Sequence, residues 1–100
     1  MSVRIEMPRD RIVEFCRENR IRRLALFGSV LRDDSRPDGG MDVLVEFEPG
    51  ARVGLIALAW IEMELSRMLG HRVEMHTVKG LNPLFRDEVL NSAEIQYEQA

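Results

Sequence analysis

The chain has 100 residues, of which 45% are apolar and 31% charged, the make-up of an ordinary globular domain with one modest core. Its 14 Lys and Arg stand against 17 Asp and Glu, a net charge of −3, which argues against nonspecific grip on a nucleic-acid backbone, because that affinity comes from many cations releasing counterions. No stretch approaches the roughly eighteen apolar residues that span a bilayer, and the first residues, Met1 to Glu6, lack the apolar centre of a signal peptide. A lone cysteine, Cys16, forms no intrachain disulfide and fits a reducing compartment. The expectation is a single cytoplasmic domain spanning residues 1–100, with no membrane association.

Pro8 suits the first turn of a helix, where its missing amide hydrogen leaves nothing unpaired. Ile12, Val13, Phe15 and Cys16 then recur at helical spacing to about Arg20, which makes Cys16 a small buried hydrophobe. The basic cluster from Arg20 to Arg23 reads as a solvated helix end. Leu24-Ala25-Leu26-Phe27 is a short apolar run stopped by Gly28-Ser29, a buried strand entering a tight turn. Asp33 to Gly40, with Pro37, Gly39 and Gly40, is a polar loop. Met41 to Phe47 is the next strand, closed by Pro49-Gly50.

From about Val53 to Leu69 the residues Leu55, Leu58, Ile61, Leu65, Met68 and Leu69 fall on one helical stripe, with Trp60 and Met63 as core or rim packing and Gly70 as the stop. Arg72 to Val78 alternates as a third strand. Asn82-Pro83 supplies a cap and first position for a helix through Leu90, and Ile95 to Tyr97 suits an edge strand. The order predicts an α/β (α+β) fold: a small mixed sheet with helices covering one face.

Alternation along a strand puts Met41, Val43, Val45 and Phe47 on one face and Asp42, Leu44 and Glu46 on the other. In the third strand Arg72, Glu74 and His76 share a face opposite Val73, Met75 and Thr77. With the apolar sides against the helices, Asp42 and Glu74 both point to the open side, and in suitable register both reach one ion. A half-exposed sheet carries a polar face without any function, so the turn upstream is what raises the pair above that simpler reading. Of the two histidines, His71 and His76, the second shares the open face with Glu74.

Those residue types suit transfer of a nucleotidyl group. Divalent ions clamp the attacking and leaving oxygens, and Mg²⁺ takes carboxylate oxygen and water. A glycine lets backbone approach the phosphates, and the next amide and hydroxyl donate to them.

The ordered set Gly28-Ser29, Arg32 and Asp42 opening Asp42-Val43-Leu44-Val45-Glu46-Phe47 resembles the minimal nucleotidyltransferases, small relatives of the polymerase β nucleotidyltransferase fold. The likeness runs from about Leu24 to Tyr97. It implies that Gly28, Ser29 and Arg32 bind the nucleotide, and that Asp42 and Glu74 are the catalytic carboxylates and Mg²⁺ ligands. It further implies ATP as substrate, AMP transfer to a protein partner, and an antitoxin role beside a HEPN-type toxin, with oligomers permitted. The chain departs from the pattern in two places. Gly39-Gly40 stand where the family has serine-aspartate, and Glu74 stands where aspartate is usual; Asp38 is the other carboxylate nearby. Gly40 therefore raises the alternative of a catalytically degenerate member that acts as a partner-binding antitoxin or nucleotide-binding module.

Overall fold

A computed structural model of the chain describes residues 8–28 and 41–99. They form helix α1 (Arg9–Glu18), strands β1 (Ile21–Phe27) and β2 (Met41–Phe47), helix α2 (Leu55–Leu69), strand β3 (Val73–Thr77), helix α3 (Pro83–Ser92) and strand β4 (Glu94–Glu98). The sheet has the order β3-β2-β1-β4. β1 runs antiparallel to β2 and β4, and β2 runs parallel to β3, with α2 making the crossover that a parallel pair requires. The sheet is mixed, as expected. The polar loop over Asp33 to Gly40 lies outside the described residues.

One apolar layer holds α1 and α2 against the sheet. Ile12, Phe15 and Cys16 of α1, Ile61 and Leu65 of α2, and Leu24, Leu26, Met41, Val43, Val45, Val73 and Met75 of the strands form a single cluster. A smaller cluster of Ala25, Phe27, Leu44 and Leu81 lies on the opposite face, where Val89 of α3 packs on it. Leu44 is thereby buried on the same side of β2 as Asp42.

Local signals account for most of the ends. Pro8 precedes the first helical residue of α1. Asn82 caps α3, its side-chain oxygen accepting from the Leu84 amide at 2.9 Å, with Pro83 as the first helical residue. Gly70 closes α2 in the left-handed conformation (φ 68°) that glycine adopts without steric cost. Two expectations change. β1 starts at Ile21, so Arg22 and Arg23 belong to the strand and not to a helix end; the Arg23 guanidinium lies 2.9 Å from Glu46 and 2.6 Å from Glu98, tying β1 to both neighbours. On α2, Leu55, Trp60 and Met63 are exposed, because Ile61 and Leu65, backed by Leu58, Met68 and Leu69, suffice to meet the core.

The outer edge of β3 is covered from α2. Ser66 Oγ accepts from the Val73 amide at 2.9 Å and donates to Glu62 O at 2.8 Å. A Glu62 carboxylate oxygen accepts from the Met75 amide at 2.8 Å. Two amides that an edge strand would leave open are thus satisfied. Glu62→Ala, which leaves the Met75 amide unpaired, is expected to cost about 1–3 kcal/mol in urea unfolding, and Glu62→Gln, which keeps an acceptor, less.

Burial pushes the Cys16 thiol from its ordinary 9.0 up to about 12, because a thiolate in the core would lose its hydration. The unfolded chain ionises first as pH rises, so this contribution to stability is intact below pH 9 and is lost between 9 and about 12. Relative to Cys16→Ala, the wild type is expected to lose about 1 kcal/mol between pH 8 and pH 10, measured by urea unfolding at both pH values.

Candidate active site

The parallel register of β2 and β3 sets Asp42 beside Glu74 and Leu44 beside His76. Because Met41, Val43, Val45, Val73 and Met75 are all committed to the larger core, the alternate residues Asp42, Glu74 and His76 emerge together on the other face. One ligating atom from each of the three lies within 4.8 Å of the other two. Asp42 and Glu74, expected on one face, are therefore neighbours across a strand pair.

Gly28 follows β1 at the same end of the sheet, since Phe27 pairs with Asp42. Its φ is +83°, and a Cβ added there would come within 2.6 Å of Asp42 Oδ2. The positive φ favours glycine, and any side chain there would have to displace the Asp42 carboxylate. The other oxygen, Oδ1, lies 3.1 Å from His76 Nε2, which donates to it in the tautomer that carries its proton there. The imidazole also meets the Phe27 ring edge-on, centroids 5.3 Å apart. Glu74 takes a hydrogen bond from Arg72 Nη2 at 2.8 Å. Ser29, Arg32 and Gly40 lie outside the described residues.

Beside Asp42 and His76 is a cleft of about 770 Å³ that runs from Gly28 and these two residues to Asn82, Phe85 and Glu88 around α3, a size typical of small-molecule sites; Glu74 does not line it. Phe27, Leu81 and Val89 give it an apolar wall beside the carboxylate. The half-buried setting of Asp42 and His76 leaves both within reach of solvent, at 27% and 35% side-chain exposure. Two carboxylates converging from adjacent strands supply the hard oxygen donors that Mg²⁺ accepts, so the residues present fit that ion. Sequence reasoning did not foresee the contact between His76 and Asp42. The two-residue period of β3 was the available signal, since it places position 76 on the face of position 74.

The family model of the nucleotidyltransferase domain matches residues 9–95. A candidate protein adenylyltransferase of Methanocaldococcus jannaschii is 31% identical over 83 residues, which is 83% of this chain and 87% of that protein. The solved structure of a candidate minimal nucleotidyltransferase matches with a TM-score of 0.69 and 35% identity, covering 85% of each chain. A chain from a toxin–antitoxin crystal structure with AMP-PNP matches with a TM-score of 0.73 over 93% of this chain and 75% of that one; at 16% identity the likeness is one of fold. The carboxylate-bearing sheet thus sits in a nucleotidyltransferase domain, and the chain belongs to the nucleotidyltransferase family, alongside its minimal members.

Gly28→Ala is expected to cost about 1–3 kcal/mol, from a non-glycine residue held at positive φ and from displacement of the Asp42 carboxylate. Urea unfolding measures the cost.

Proposed function

We propose that this chain transfers AMP from ATP to a protein partner and acts as the antitoxin of a toxin–antitoxin pair, its partner a HEPN-type toxin. The observation that carries the reading is the placement of Asp42 and Glu74 side by side on the face opposite the larger core, with the Gly28 turn against Asp42 and a cleft that Asp42 lines. The named activity of the Methanocaldococcus jannaschii relative and the AMP-PNP in the toxin–antitoxin structure support adenylyl transfer and a protein partner. The lone Cys16 and the demand for ATP suit a cytoplasmic setting.

In this reading Asp42 and Glu74 hold Mg²⁺, which when bound draws the triphosphate into place and offsets charge on the leaving oxygens. Gly28, with Ser29 and Arg32 beside it in sequence, receives the phosphates: the glycine admits them close to backbone, and Ser29 and Arg32 donate to their oxygens. The apolar wall at Phe27, Leu81 and Val89 accepts the base. The acceptor hydroxyl oxygen bonds to the α-phosphorus, the bond to the bridging oxygen breaks, and pyrophosphate leaves. The hydroxyl proton passes to the carboxylate pair.

Gly40 favours one second reading, a member that neutralises its partner by contact alone. A single assay separates the two: transfer of label from α-labelled ATP, with Mg²⁺, to proteins that co-purify with the chain. Wild type is expected to transfer label, and Asp42→Ala to lose it about a hundredfold or more. If only Gly40→Asp transfers label, the fold is competent and the natural chain has lost its chemistry. If no variant transfers label while the complex persists, contact alone is its mode of action.

A further inference from the structure

The cation site proposed above has two carboxylates, with Gly40 in place of a third. The donor beside them is a nitrogen. We infer that His76 is itself a metal ligand, completing with Asp42 and Glu74 a mixed oxygen–nitrogen site that prefers a first-row transition ion, such as Mn²⁺ or Co²⁺, to Mg²⁺. This inference rests on the reading that Asp42 and Glu74 hold a cation, and it names the ligand set and the ion.

The geometry is favourable before any ion arrives. Neighbouring ligands of an octahedral ion bonded at about 2.1 Å lie about 3 Å apart, and opposed ligands about 4.2 Å apart. Asp42 Oδ1 and His76 Nε2 are 3.1 Å apart, and with Glu74 the three ligating atoms stay within 4.8 Å. Little movement is needed to turn three donors onto one ion. The positions are also held. Glu74 and His76 flank Met75, whose amide is fixed by Glu62 and whose side chain is in the core. The Phe27 ring packs against the imidazole in a T-shaped arrangement. Asp42 Oδ2 is directed to the Gly28 turn, which leaves Oδ1 on the His76 side.

The chemistry sets the preference. Mg²⁺ favours oxygen and gains little from imidazole, whereas affinity for nitrogen rises through the first-row ions from Mn²⁺ onward. Coordination through Nε2 needs the neutral ring with its proton on Nδ1, so that the Nε2 lone pair faces the ion. A carboxylate pair with a histidine therefore loses less for transition ions than for Mg²⁺ when one aspartate is replaced by Gly40.

The test uses the full chain without a histidine tag. Calorimetric titration with Mn²⁺, Co²⁺ and Mg²⁺ is combined with electron spin-echo modulation of bound Mn²⁺, which detects a coordinated ¹⁴N. His71, the other histidine of the chain, is exposed and serves as the control. Wild type and His71→Ala are expected to show nitrogen coupling and to bind Mn²⁺ and Co²⁺ at least about tenfold tighter than Mg²⁺. His76→Ala should lose the coupling and about tenfold or more in Mn²⁺ and Co²⁺ affinity, with Mg²⁺ affinity nearly unchanged and the fold intact by circular dichroism. A hydrogen bond that merely steadied the ring would move stability but produce no nitrogen coupling. Coupling absent in wild type, or ion preference unchanged in His76→Ala, overturns the inference. Binding that survives His76→Ala but not Asp42→Ala leaves the carboxylate pair standing, whereas wild type that binds none of the three ions removes the cation from both readings.

Discussion

The two-residue period of β2 is the constraint on which the rest depends. Met41, Val43 and Val45 are each at most 2% exposed, packed under α1 and α2. A slip of one position in its pairing would turn Asp42 and Leu44 into that core and bring the valines out. An unpaired carboxylate among Ile12, Leu24 and Leu65 would be far costlier than the rearrangement could repay. The hydrophobic layer thus fixes where Asp42 points, although none of its members touches the cleft. Leu44 adds a second lock, being buried on the other face with Ala25, Phe27 and Leu81.

β3 needs a different device, since it lies at the sheet edge and its outer amides have no partner strand. Ser66 and Glu62, one turn apart on α2, supply the acceptors. Because α2 is also the crossover between β2 and β3, the helix that permits parallel pairing is the one that sets the height of β3. The Asp42–Glu74 register then follows from packing on one side and two hydrogen bonds on the other. Gly28 completes the arrangement from the end of β1, where a Cβ would come within 2.6 Å of Asp42 Oδ2 and push the carboxylate aside. Three elements distant in sequence meet at one carboxylate, and each is fixed by contacts made elsewhere.

This division explains what could be read from the residues. β2 runs from Met41 to Phe47 as expected, because alternation begins at once and Pro49-Gly50 ends it. Asn82-Pro83 and Gly70 marked their helix ends through local chemistry that needs no tertiary partner. β1 was expected to start later, since Arg22 and Arg23 carry no local strand signal; Arg23 is settled there by Glu46 and Glu98, 23 and 75 positions away along the chain. Trp60 and Met63 were expected in the core or at its rim, and their exposure reflects how many apolar positions one helix face can use. At the site, alternation sufficed to put Asp42 and Glu74 on one face, opposite the larger core, but their pairing is a matter of register, which is nonlocal, and that face also carries α3. The approach of Gly28 and the hydrogen bond from His76 depend on that register too.

Charge links the glycine at position 40 to the histidine at position 76. Asp42 and Glu74 bring two negative charges, enough to balance one divalent ion and short of what a second requires. As a ligand in the inferred site, a neutral His76 ring would add a donor without adding charge. Arg72, bonded to Glu74, subtracts from the field that a cation would feel at that carboxylate. In the proposed reading, then, the protein alone is suited to one ion, and any further cation must arrive with the phosphates that balance it. Catalysis would be coupled to nucleotide binding more tightly than in a site with three carboxylates, because the substrate would supply part of the charge that the protein lacks. The same arithmetic bears on the contact-only reading: a site so lightly charged can stay metal-free without leaving strongly repelling carboxylates in the fold, since each already has a cationic or hydrogen-bonding neighbour on its own face of the sheet.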